Sequence, residues 1–226
     1  PNPEQTAEIK HRLSYRYPFE KLATTLSKRA ASALQEGSFD TRYFAKAKPE
    51  FLSKSGLTPS ERGTCLHKFM QYADFQTAER NPQEALDRLV EQAFLTETEA
   101  AAIETEVISG FFKSALYRRI KQSPALYREK KFAILEKAGT LDPGLPEALG
   151  EEKVMIQGIV DCAFEEDGKL VILDYKTDRV TTPEQLTERY KDQLQTYRKA
   201  LSRCMGKEVK EAYLFSFALG KEIKVE

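Results

Sequence analysis

The stretch from Val154 to Lys176 constrains the fold more than any other part of the chain. Two apolar runs, VMIQGIVDCAF and KLVILDYK, are separated only by EEDG. An Asp-Gly pair between apolar runs is a strong signal for a two-residue hairpin turn. If Asp167 and Gly168 form that turn, Glu166 pairs with Lys169. Counting outward then brings Asp161 opposite Asp174, with Cβ atoms about 4.5–5.5 Å apart. A four-residue turn from Glu165 to Gly168 would shift the register and leave the two acids diagonal on the same face. Side chains alternate along a strand, so Asp174 and Lys176 share a face and Tyr175 points away.

Like charges placed opposite each other destabilise a sheet, so something compensates. Lys176 does part of this, and a hard cation held by oxygen ligands would do the rest. The plainer alternative is a surface hairpin with an ordinary Asp–Lys ion pair. Against it, the runs are apolar on both faces, as in central strands, where carboxylates are rarely buried without a partner. Two acids and a lysine suit phosphodiester hydrolysis. Asp161 and Asp174 would hold one or two Mg²⁺ or Mn²⁺ ions, and the Tyr175 backbone carbonyl, lying between them, would be a further metal ligand. Lys176 would orient the attacking water or neutralise charge growing on the phosphate.

The rest of the chain supplies helices and further strands. The spacing of Leu66, Phe69, Met70 and Ala73 predicts a helix from Pro59 to about Gln76. Another is expected from Pro82 to about Ala93. Thr96 and Glu99 form a capping box for a third, running to about Ser109 and ended by Gly110, and a short one follows near Lys113–Lys121. Tyr127 to Leu135 alternates like a strand, and AGTLDPGLPEALGEEK reads as loop. Thr182-Pro183 opens a long helix whose stripe is Leu186, Tyr190, Leu194, Tyr197 and Leu201, ending at Gly206. VKEAYLFSFAL is a final strand. A helix is also expected near Ala23–Gln35, with loop after it. This order predicts an α/β fold, a mixed sheet flanked by helices with an N-terminal helical elaboration. The expected division is a linker and helical segment over 1–56 and the main domain over 57–226.

Composition sets limits. With 35 basic and 35 acidic residues, the chain has no basic excess for capturing nucleic acid unaided, although DNA delivered by a partner remains compatible. The basic run Leu116–Lys131 reads equally well as a phosphate-contacting or a solvated face. No apolar run approaches membrane-spanning length, and the N-terminus is no secretory signal. Three scattered cysteines, Cys65, Cys162 and Cys204, argue for a reducing, cytoplasmic setting and against zinc or an iron–sulfur cluster. The first residue is Pro1, so the chain reads as a segment of a longer protein.

Four segments in order, RGTCLHKFM (Arg62–Met70), QGIVD (Gln157–Asp161), LDYKTD (Leu173–Asp178) and QLQTY (Gln193–Tyr197), resemble the successive motifs of RecB-type nucleases of the PD-(D/E)xK superfamily. The likeness is greatest to the C-terminal nuclease domains of AddA-type helicase–nuclease subunits. The resemblance implies a restriction-endonuclease-like sheet with His67, Asp161 and Asp174 as metal ligands and Lys176 as the catalytic lysine. It implies that Gly63 permits close approach and that Gln193 and Tyr197 orient the lysine or the DNA backbone. Glu129, in YREKKF, is a partial match to an acidic residue on the family's first core strand. The implied activity is Mg²⁺- or Mn²⁺-dependent cutting of unwound single-stranded DNA, without an iron–sulfur cluster, during double-strand-break repair. The implied partners are an upstream helicase motor and an AddB-like subunit. A stand-alone exonuclease and a non-catalytic DNA-binding or docking domain are the other readings. Domains of the last kind lose an acid or the lysine, and all three are present here.

Overall fold

The computed structural model describes residues 57–226, together with residues 2, 7, 9–10, 12–14 and 28–31. Two compact units emerge. The larger holds Ala30–Ile134 and Gln157–Glu226; the smaller holds Leu135–Ile156 and the described residues before Ala30. Strand β1, Lys28–Ala30, lies within the span expected to be helical, so its described part is extended instead. The remainder of that expected helix, and the loop after it, lie outside the described residues.

In the larger unit, the helices α1 (Pro59–Tyr72), α2 (Phe75–Arg80), α3 (Pro82–Glu91), α4 (Glu97–Ala101), α5 (Thr105–Phe112) and α6 (Ala115–Gln122) precede the sheet. Their starts are fixed by local chemistry. Thr58 with Glu61 and Thr96 with Glu99 form capping boxes for α1 and α4, and Pro59 and Pro82 stand where a missing N–H costs nothing. Two expected helices are each broken in two. The first ends at Ala73, which is extended, because the Asp74 side chain accepts from Thr77 N and caps a new helix. The Thr96 helix stops at Ala101, and Gly110, expected to end it, sits inside α5.

Strand β2 (Leu126–Lys137) leads through the smaller unit to β3 (Lys153–Glu166). There the segment expected to be loop carries two single-turn helices, α7 (Ala138–Leu141) and α8 (Glu147–Gly150). Glycines at 139 and 150 let the backbones meet: a Cβ on Gly139 would lie 3.0 Å from the Gly150 Cα.

β3 and β4 (Lys169–Lys176) pair antiparallel from Glu166↔Lys169 to Cys162↔Leu173, the register of a two-residue turn. Asp167 and Gly168 have φ of 54° and 73°, the left-handed values that such a turn requires. Helix α9 (Pro183–Met205) then crosses to β5 (Val209–Ser216), which pairs parallel with β4, and β6 (Lys221–Val225) closes the edge antiparallel to β5. The expected single last strand is thus two, turned at Gly220, whose φ is 61°. Within this unit the strand order is β3–β4–β5–β6, with β2 also pairing with β3.

The sheet is buried on both faces. Cys162, Phe164, Val171, Leu173, Tyr175, Phe215 and Phe217 pack into one cluster with Phe69, Ile108, Phe111 and Tyr117 from the helices before the sheet. On the opposite face α9 buries Leu186, Leu194, Tyr197, Ala200 and Leu201. Three cations of the basic run serve structure. Arg119 donates to Glu166, Glu211 and the Tyr213 hydroxyl; Lys121 pairs with Glu79; Arg128 donates to the carbonyls of Met70 and Ala73. The phosphate-contacting reading therefore fails for these three.

Hydrogen bonds and charge from Arg119 and Lys210 hold the Glu166 carboxyl at about 2, and Lys224 with Arg119 hold Glu211 at about 2. A depressed carboxylate contributes stability above its unfolded value and loses it as pH falls through the folded one. The urea midpoints of wild type and Arg119→Ala should therefore differ at pH 7. They should converge as pH drops from about 4.5 to about 2. A gap that persists at pH 2 would show that the guanidinium acts through packing alone.

Candidate metal and catalytic centre

Strand alternation and one helix crossing assemble the centre. On β4, Asp174 is wholly buried and Lys176 is 7 % exposed, both on the face that α9 covers. Lys176 Nζ lies 2.7 Å from Asp174 Oδ2 and donates to Gln193 Oε1 at 3.2 Å. Gln193 Nε2 donates to the Tyr197 hydroxyl at 2.7 Å, one turn further along α9. That bond fixes which way the amide points and keeps its carbonyl toward the lysine. Both residues are buried, so they face Lys176 from within the protein. A third α9 residue, Tyr190, places its ring 3.6 Å from Lys176 Nζ.

The second group of donors lies across β3. Asp161, only 3 % exposed, accepts from Tyr175 N at 2.9 Å through Oδ2. The same oxygen is 3.4 Å from His67 Nδ1, which α1 brings to the end of the strands. Glu129 joins them from β2. Ligand atoms of His67, Glu129 and Asp161 all lie within 4.8 Å of one another. Atoms bound to one cation at about 2.0–2.6 Å can be separated by up to roughly twice that length, so the spacing fits a single ion. Two carboxylates and an imidazole also form a donor set for a divalent cation.

Glu129 reaches this position with φ of 51°, uncommon for a residue with a side chain. Such a backbone costs of order 1–3 kcal/mol and persists where the surroundings demand it. Beyond it, Phe132, Ile134 and Glu136 restore regular alternation of buried positions. Asp174 does not belong to the His67–Glu129–Asp161 cluster; its carboxylate is engaged by Lys176 instead. The Tyr175 side chain is buried on the far face against Phe111 and Phe217, as alternation requires.

Two glycines permit the close approaches. A Cβ on Gly63 would lie 2.6 Å from Thr177 Oγ1, so α1 can pass beside the residue after Lys176 only without a side chain there. A Cβ on Gly158 would lie 2.6 Å from Phe132 Cζ, and that ring in turn meets Tyr197 edge-on at 5.6 Å. A cavity of about 540 Å³ opens beside the centre, lined by Arg62, Gly63, Thr177, Asp178, Arg179 and Phe217 among others.

A family model for the PD-(D/E)XK nuclease superfamily matches residues 20–225. The chain belongs to the PD-(D/E)XK nuclease superfamily. Among curated members, an ATP-dependent helicase/nuclease chain of Clostridium botulinum (strain Kyoto / Type A2) is 37% identical over 97% of this chain. Its counterpart in Clostridium kluyveri is also 37% identical, over 93% of this chain. In each case the chain spans 18% of the relative's length. A crystal structure of SSO0001 overlays with a TM-score of 0.36 at 15% identity, covering 74% of this chain and 76% of that one. For a PD-(D/E)XK nuclease the mixed sheet with helices on both faces is the expected architecture. No helix among the described residues is long and apolar enough to cross a membrane.

The Gly63 contact yields a test that needs no substrate. Gly63→Ala should destabilise the fold by about 1–3 kcal/mol, the usual result of overpacking. The double variant Gly63→Ala/Thr177→Ala removes the nearest atom and should recover most of that in a urea titration. Equal midpoints for the wild type and Gly63→Ala would mean that the helix is not pinned there.

Proposed function

We propose that the chain is a divalent-cation-dependent deoxyribonuclease module that cuts single-stranded DNA, with Mg²⁺ or Mn²⁺ as the ion. The observation that carries this is the meeting of His67, Glu129 and Asp161 beside the buried Asp174–Lys176 pair. We assign the nuclease domain to residues 57–226 and a linker to residues 1–56. Following the names of its relatives, the module would act within a helicase–nuclease chain, on strands delivered by that motor and alongside an AddB-like subunit, in the repair of broken DNA. Delivery of this kind accounts for a nuclease with balanced charge.

His67, Glu129 and Asp161 would hold the ion, with Asp174 and the Tyr175 carbonyl as further ligands on the neighbouring strand. A bound divalent cation lowers the pKa of a water and offsets charge on a phosphate. Lys176 places an ammonium where negative charge grows on the phosphoryl oxygens. Gln193 holds that ammonium by its carbonyl, and Tyr197 holds Gln193. Nucleotides flanking the scissile phosphate would lie in the cavity lined by Arg62 and Arg179. The exposed Arg179 is placed to meet their backbone.

Cleavage of end-labelled single-stranded DNA in Mg²⁺ should stop on adding EDTA and resume with excess metal. Asp174→Ala and Lys176→Ala should each cut at least roughly a hundredfold more slowly, comparable to loss of one transition-state donor. Their circular dichroism should be unchanged. Full activity in Asp174→Ala would defeat the assignment of the centre. Glu129→Gln should weaken Mn²⁺ binding in calorimetry; unaltered affinity would remove Glu129 from the ligand set.

A further inference from the structure

We propose that Tyr190 is a positioning residue for Lys176, its ring face holding the ammonium in place while Asp178 holds the ring. This rests on the nuclease reading of the centre. The Lys176 ammonium has an acid on one side, Asp174 at 2.7 Å, and an amide oxygen on another, Gln193 at 3.2 Å. The Tyr190 ring supplies a further contact, with Nζ 3.6 Å from its centroid. That is well inside the roughly 6 Å within which a ring quadrupole attracts a cation.

The choice of partner has a chemical consequence. A second carboxylate at this position would also hold the ammonium, but it would repel an approaching phosphate and compete with it for the lysine. A ring face attracts the cation and brings no net charge. The ring is itself anchored. Its hydroxyl lies 3.0 Å from each Asp178 oxygen, and Arg189 Nη1 donates to Asp178 Oδ1 at 2.6 Å. Donation from a phenol to a carboxylate enriches the ring in electron density, and so strengthens its hold on the lysine. Asp178 stands two residues beyond Lys176 and also lines the cavity next to the centre. The strand exit therefore holds the ring that holds the lysine.

The test compares Tyr190→Phe, which keeps the ring, with Tyr190→Leu, which removes it. On single-stranded DNA, Tyr190→Leu should lower kcat about tenfold, with KM and Mn²⁺ affinity within about twofold of wild type, while Tyr190→Phe stays within about threefold throughout. A second readout is independent of cleavage. In a chain with ¹³C-labelled lysine, the Lys176 ε-methylene protons, identified by their loss in Lys176→Met, should resonate upfield through the ring current. That shift should persist in Tyr190→Phe and vanish in Tyr190→Leu. An ordinary lysine position in the wild type would overturn the proposal whether or not the chain cuts DNA. So would a Tyr190→Leu variant that matches Tyr190→Phe in kcat. A ring-shifted Lys176 in a chain that leaves DNA intact would uphold the placement and sink only the nuclease reading.

Discussion

The register that the Asp167–Gly168 turn imposes on β3 and β4 is the constraint on which the centre depends. Both turn residues sit at left-handed φ, which closes the hairpin in two residues and leaves Glu166 opposite Lys169. A slip of one residue would send Asp174 and Lys176 into the aromatic cluster around Phe111 and expose Leu173 and Tyr175 to α9. Burial on both faces makes that slip prohibitive. The apolar residues of VMIQGIVDCAF and KLVILDYK thus do more than form a core: they fix where the charges go.

The charges themselves are poor stabilisers. Removing a carboxylate and an ammonium from water costs several kcal/mol per ion, and their attraction offsets this only with good geometry and further hydrogen bonds. Asp174 and Lys176 are nearly excluded from solvent, and the lysine keeps three partners: the aspartate, the Gln193 carbonyl and the Tyr190 ring. Each of the last two comes from α9, whose other inward residues are aliphatic or aromatic. The helix therefore anchors itself through Leu186, Leu194 and Leu201 and presents polar groups only where the lysine waits. Rigid support of this kind is what a reacting group needs to keep its position.

Much of this was legible in the residues. The hairpin register followed from one dipeptide, and the starts of α1, α4 and α9 followed from Thr-Pro and Thr–Glu signals. The helix breaks were not legible, because Asp74 caps a new helix within what reads as one continuous apolar stripe. Glu129 was reachable only through a partial family match. Alternation along β2 places it wrongly, since a positive φ resets which residues face inward; the unbroken charged run REKK was the one hint of irregularity. Tyr190 read as a core residue because its spacing fits the stripe of α9, and the cation over its ring comes from a different strand. Arg119 read as part of a basic run for the same reason: its carboxylate partners on β3 and β5 are distant in sequence.

The unfavourable backbone of Glu129 bears on how such a centre responds to its ion. Without a cation, two carboxylates face each other across β2 and β3, and one of them is held by a conformation that the chain would otherwise avoid. A cation seated there would supply the missing attraction only while the protein is folded. Occupancy and thermal resistance are then a single equilibrium, and the melting temperature climbs with the logarithm of metal concentration once binding is appreciable. Heating curves in a series of divalent salts would rank the ions this site prefers, with no nucleic acid in the tube.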